Sequence, residues 1–142
     1  MTRALVKDHT DAIIAALEGF GLVVGDGKAP ANFQRLLEDG DGYVVVYSIP
    51  GGGTSGNLDD PNADAVLVYQ VTCVGKRRDQ AELLADQVSE LLQTELDVPG
   101  RDIPSIKVNM HGGALRDDSV TPPVFQSSPR FRIMSTPNGE ES

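Results

Sequence analysis

Two apolar runs constrain the fold of this chain more than any other feature. Tyr43-Val44-Val45-Val46-Tyr47-Ser48-Ile49 is β-branched and aromatic, lies between Gly42 and Pro50, and offers apolar side chains to both faces, which predicts an interior strand. Val66-Leu67-Val68-Tyr69-Gln70-Val71-Thr72-Cys73-Val74 places Leu67, Tyr69, Val71 and Cys73 on one face and Gln70 and Thr72 on the other. The second strand therefore has one core face and one partly wet face. Two such strands need a covering layer, and helical periodicity elsewhere in the chain supplies it.

Leu5, Val6, Ala12, Ile13, Ala16, Leu17 and Phe20 recur at helical spacing and predict a first helix over residues 5–20. Gly21 followed by Leu22 suits a left-handed C-cap with a trailing apolar contact, and a short strand over 22–24 follows. Residues 28–32 read as a loop, 33–37 as one helical turn, and Asp39-Gly40-Asp41-Gly42 as a turn. Asp79-Gln80-Ala81-Glu82 fits a capping box, and Ala81, Leu84, Ala85, Val88, Leu91 and Leu92 form the buried stripe of a second long helix, stopped by Pro99-Gly100. Residues 105–110 and 124–134 read as strands separated by the turn-rich 112–123, the latter interrupted by Pro129, and 136–142 as a mobile tail. The expectation is a single α+β domain over residues 1–135. Its two helices pack on one face of a small, mostly antiparallel sheet, with a long loop between the two long strands.

A length of 142 residues fits one domain, and 39% hydrophobic with 23% charged residues is a globular balance. Twelve basic against 21 acidic residues give a net charge of −9, which opposes general binding to nucleic-acid phosphates. Cys73 stands alone, so no internal disulfide or cysteine-rich zinc site can form. No apolar run approaches the roughly 18 to 20 residues that span a bilayer. Asp8, His9 and Asp11 occupy the start of the chain in place of a basic and then apolar leader, so residence in a cytoplasm is the default expectation.

Gly51, Gly53 and Gly56 satisfy G-x-G-x-x-G after a strand, but Asn57-Leu58-Asp59-Asp60-Pro61 follows, bringing negative charge where a pyrophosphate needs a helix N-terminus. A flexible loop is the better reading. Asp60, Asn62 and Asp64 have the opening spacing of a calcium loop, yet Ala65 and Val71 stand where glycine and glutamate are required. A solvated acidic loop outweighs weak cation binding there or at Asp39 and Asp41. His9 and His111 have no neighbouring ligand pattern, and His111-Gly112-Gly113 lacks the serine elbow an oxyanion loop would serve. Cys73, on an apolar strand face, reads as a packed thiol. No catalytic, cofactor or metal site is expected.

The cations are more informative. Lys76, Arg77 and Arg78 lie between the second strand and the helix and suit a carboxylate or phosphate on a partner, or plain solvent. Arg130 and Arg132 alternate with Phe131 and Ile133, giving a strand with one basic and one apolar face that suits an edge facing a neighbouring subunit, or merely surface. The stretch from Pro50 to Asp64 is long for a strand connection, and loops beyond about 12 to 15 residues are usually functional or disordered.

Gly42-Tyr43-Val44-Val45-Val46-Tyr47, the glycine-rich stretch through Gly56, Leu58-Asp59-Asp60-Pro61, Val68-Tyr69-Gln70-Val71-Thr72-Cys73-Val74-Gly75 and Gln80-Ala81 together resemble the tail terminator family of long-tailed bacteriophages, in the version common in phages of actinobacteria. The match runs over residues 42–92; the flanks agree in element order. Cys73 departs from the family's more usual small polar residue. The resemblance implies a non-enzymatic virion protein, assembled in the host cytoplasm, that forms a hexameric ring at the head-tail junction. Such a ring caps the tail tube protein, meets a head-side connector or neck protein, and leaves a channel through which DNA passes without specific binding.

A ring closes through head-to-tail interfaces, so each protomer needs two different patches. The candidates are an arm carrying Gly51, Gly52, Gly53, Gly56, Asp59, Asp60 and Asp64, and a basic set of Arg77, Arg78, Arg130 and Arg132. Acidic walls would keep a passing duplex from sticking. A head-completion, neck or tail-tube ring protein is the nearest alternative; a small-ligand or nucleotide-binding protein using the glycine-rich loop, or a cytoplasmic adaptor, belongs to other classes.

Overall fold

The computed structural model describes residues 5–54, 64–110 and 113–137. In chain order the elements are α1 (Leu5–Gly19), β1 (Val24–Asp26), α2 (Phe33–Glu38), β2 (Tyr43–Thr54), β3 (Ala65–Gly75), α3 (Arg78–Glu95), β4 (Arg101–Met110), β5 (Leu115–Asp117), β6 (Val124–Ser127) and β7 (Arg130–Pro137). The class is α+β, with a mostly antiparallel sheet of seven strands.

The sheet is built around β3. β2 pairs with it antiparallel along its whole length, while its other edge is shared by β6 at Cys73–Gly75 and β7 at Ala65–Gln70. β4 extends the sheet beyond β7, β5 beyond β6, and β1 lies parallel to β2. The stretch expected as one strand over 124–134 is thus two. Pro129 cannot donate a ladder hydrogen bond, but its carbonyl accepts from Val71 N–H at 3.0 Å, so β6 and β7 stay aligned on one partner.

Alternation along the strands sorts the side chains into two layers. Val44, Val46, Tyr69, Val71, Cys73, Phe131 and Ile133 face α1 and α3 and bury against Ile13, Leu17, Ala85, Val88 and Leu92. Full burial of each large member stabilises the fold by about 1.5–3 kcal/mol relative to exposure. This is the expected pair of helices on one face. On the opposite face Tyr43, Val45, Val74 and Val124 form a second cluster with Leu36 of α2, against which Phe33 and Leu37 also pack. The expected single turn at 33–37 is therefore a short helix that closes one end of the second face.

The helix ends explain themselves locally. Leu22 N–H donates to the Leu17 carbonyl at 3.2 Å and Gly21 N–H to Glu18 at 2.9 Å, the paired bonds that close a helix through a left-handed residue, and Gly21 holds φ +99°. α3 departs from expectation. It begins at Arg78, Arg77 holds the N-cap position without a side-chain cap bond, and Glu82 does not reach back to the cap. Glu82 instead pairs with Arg78 and accepts Ala114 N–H at 3.1 Å, a contact to a distant segment that no local pattern encodes. Gln80 takes over the backward reach: its Oε1 accepts Lys76 N–H at 2.8 Å, and its Nε2 donates to the Gly40 carbonyl.

Further corrections concern the connections. The loop expected from Pro50 is strand as far as Thr54, pairing with Ala65 after a register shift between Ile49 and Gly53. The shift spans Pro50, which has no N–H for the ladder. β1 lies two residues later than expected, β4 begins at Arg101 instead of Ser105, and β5 arises inside the turn-rich stretch. Thr136 and Pro137 belong to β7, not to a tail.

Candidate functional site

Among the described residues, no group of three or more histidine, cysteine, aspartate or glutamate side chains converges as metal ligands, and no helix is long and apolar enough to cross a membrane. Cys73 is fully buried, and burial pushes its thiol up to about 12, so a reactive thiolate is suppressed. Gly51 and Gly53 lie within β2, so no helix N-terminus follows them among the described residues. His111 and Gly112, like Gly56, Asp59, Asp60 and Asn62, lie outside the described residues.

His9 is buried in α1. Its Nε2 lies 2.7 Å from Ser135 Oγ. Arg101 Nε donates to the same oxygen at 2.9 Å, and Arg101 Nη2 donates to the Ser135 carbonyl at 3.0 Å. Histidine, serine and arginine are 0%, 1% and 8% exposed, so the cluster is closed to any substrate and ties the first helix to β4 and β7.

A connected chain of polar groups lies on the face of the sheet away from α1 and α3. The register puts Tyr47, Gln70 and Arg130 in one row, Ile49, Val68, Arg132 and Lys107 in the next, and Met134 with Ser105 beyond. Arg130 Nε donates to Gln70 Oε1 at 3.0 Å, Gln70 Nε2 to Thr72 Oγ1 at 3.1 Å, and Thr72 meets Ser128 Oγ at 3.1 Å. A shallow trough of about 440 Å³, bordered by Tyr43, Tyr47, Gln70, Thr72 and Ser128, runs beside this chain of polar groups. β7 is not an edge: it lies between β3 and β4. Its arginines project from the middle of the sheet.

The four arginines of the basic set are not brought together. Arg77 Nε donates to Asp79 Oδ1 at 3.0 Å, which holds that carboxyl below the usual aspartate range, and Arg78 pairs with Glu82. Both pairs are exposed and sit at the start of α3. Arg130 and Arg132 stand on the open sheet face with Lys107, which is directly opposite Arg132. Lys107 went unnoticed in the sequence, although it alternates with Ile106 and Val108 just as Arg132 alternates with Phe131 and Ile133. Asp64 is exposed at the foot of the β2–β3 hairpin, next to the pairing of Ala65 with Thr54 and Ser135.

No protein-family model matches the sequence, and no curated protein matches it. Among solved structures, the fold matches a chain of the structure titled "Virion of native gene transfer agent (GTA) particle" with a TM-score of 0.65 and 17% sequence identity. The alignment covers 94% of this chain and 98% of the other. At that identity the likeness establishes the fold alone.

Proposed function

We propose that this chain is a structural virion protein that terminates a phage-type tail. It assembles into a ring, taken to be a hexamer, caps the tail tube, ends its polymerisation and joins it to the head-side connector while leaving a channel for DNA. The observation that supports this reading best is the end-to-end fold match to a virion particle chain, 94% of one chain against 98% of the other. The sequence resemblance over residues 42–92 supports the more specific role.

The β2–β3 hairpin is the proposed arm between protomers or toward the tube, with Gly51, Gly52 and Gly53 in its outgoing strand and Gly56, Asp59, Asp60 and Asp64 beyond. Arg77, Arg78, Arg130 and Arg132 are proposed as contacts of the same assembly. Deleting residues 52–56 should shorten the hairpin and preserve the thermal transition while weakening assembly; an unchanged ring removes the arm from the account.

The same fold match also supports a neck protein or a tube subunit. Growth of tail tubes in the presence of this protein separates them. A terminator shortens the tubes as its concentration rises and is found at their ends, a tube subunit lengthens them, and a neck protein leaves their length unchanged.

A further inference from the structure

The open sheet face carries a local row of three cations. Five cations elsewhere sit beside a carboxylate two or four residues away: Lys7 with Asp11, Arg35 with Asp39, Arg77 with Asp79, Arg78 with Glu82, Arg116 with Asp118. Lys107, Arg130 and Arg132 are different. They share the open sheet face, and none has a carboxylate partner among the described residues. Lys107 directly opposite Arg132 is a cross-strand pair of like charge, an arrangement that costs stability unless something outside the protomer compensates it. Met134, 45% exposed, adds an apolar contact next to Arg132 on the same strand face.

The helices on the other side of the sheet are mainly acidic: α1 carries Lys7 against Asp8, Asp11 and Glu18, and α3 carries Arg78 against Asp79, Glu82, Asp86 and Glu90. Between them runs a groove of about 550 Å³ floored by Ala15, Ala16 and Gly19 and flanked by Glu90 and Phe20, whose ring is 53% exposed. Small residues there leave space for long side chains. A carboxylate beside an exposed aromatic ring suits an arginine, which can pair with the one and stack on the other.

We propose that the open sheet face of one copy, through Lys107, Arg130, Arg132 and Met134, docks on the α1–α3 groove of a second copy, giving a head-to-tail contact. The two faces lie on opposite sides of the protomer, so the contact is heterologous and propagates into a ring or filament according to its rotation. A second copy is favoured over a nucleic acid because the net charge of −9 opposes a polyanion, while the same chain carries the matching acidic surface. The inference rests on the assembly reading for its context but fails independently of it, since a ring can close through the arm alone.

The test is light-scattering mass across a concentration series, at low salt and at about 1 M salt, where the Debye length falls to about 3 Å. Wild type should self-associate at low salt and dissociate at high salt. The sheet-face variant Lys107→Glu/Arg132→Glu and the groove variant Gln87→Lys/Glu90→Lys should each weaken association by about tenfold or more. Mixed one to one they should recover it, because every sheet-to-groove contact between unlike variants again joins opposite charges. Unchanged thermal transitions establish that both variants fold. Three results overturn the proposal: association insensitive to salt, no recovery in the mixture, or a sheet-face variant that assembles normally but loses binding to a DNA duplex. None of these bears on tube capping, which tests the functional reading separately.

Discussion

Removing one oxygen atom, in Ser135→Ala, should destabilise this protein more than most surface changes could. Ser135 is 1% exposed, and its Oγ lies 2.7 Å from His9 Nε2 and 2.9 Å from Arg101 Nε. The substitution takes that partner from two buried groups, one of them charged, while Arg101 keeps its bond to the Ser135 carbonyl. A buried polar group deprived of a partner costs about 1–3 kcal/mol, so the pair together should cost about 2–4 kcal/mol. For 142 residues the unfolding entropy is about 0.3 kcal/mol/K, so the midpoint should fall by roughly 6–13 °C. Calorimetry reads this directly. Ser105→Ala provides the matched control: its Oγ is also buried but has no hydrogen-bond partner among the described residues, so the same chemical change should leave the midpoint within about 2 °C or raise it. If the two variants melt together, the cluster does not hold α1 to β4 and β7 as argued.

Other expectations follow from single sites. Above pH 9 the protein should lose stability as pH rises toward 12, because burial raises both Cys73 and Tyr69 and the unfolded chain releases those protons first. Thermal melts of Cys73→Ala and Tyr69→Phe should show a flatter alkaline limb than wild type; identical limbs would refute the assignment. By the same burial, Ellman's reagent should reach Cys73 only after denaturant is added. Gly42 holds φ +72°, and a Cβ there would stand 2.7 Å from the Val74 carbonyl oxygen. Gly42→Ala should therefore cost about 1–2 kcal/mol or more, read from the urea midpoint, and a neutral result would contradict the strain.

What the sequence discloses here is what short-range physics determines. The stripe of α3, the alternation of β3, the burial of Cys73 and the closure of α1 at Gly21 all follow from periods and dihedral preferences within a few residues, and the fold carries each of them. The start of α3 eluded local reading because Glu82 is drawn to Ala114, thirty-two residues away. β5 has three residues and two of them are exposed, so it has no apolar alternation to detect. The sharing of one β3 edge by β6 and β7 is decided by register, which no single strand encodes. The candidate surfaces follow the same rule. Arg130 and Arg132 could be placed on one strand face from their spacing, whereas their separation from Arg77 and Arg78, and the arrival of Lys107 beside them, depend on which strands become neighbours.

Assembly into a ring that stops at one layer is the central claim, and negative-stain electron microscopy of the purified protein with light-scattering mass, in the presence and absence of tail-tube ends, tests it most directly. The account expects closed rings of a single diameter, seated at tube ends when these are supplied. Long tubes formed by the protein alone, or a monomer that ignores tube ends at every concentration, would contradict it.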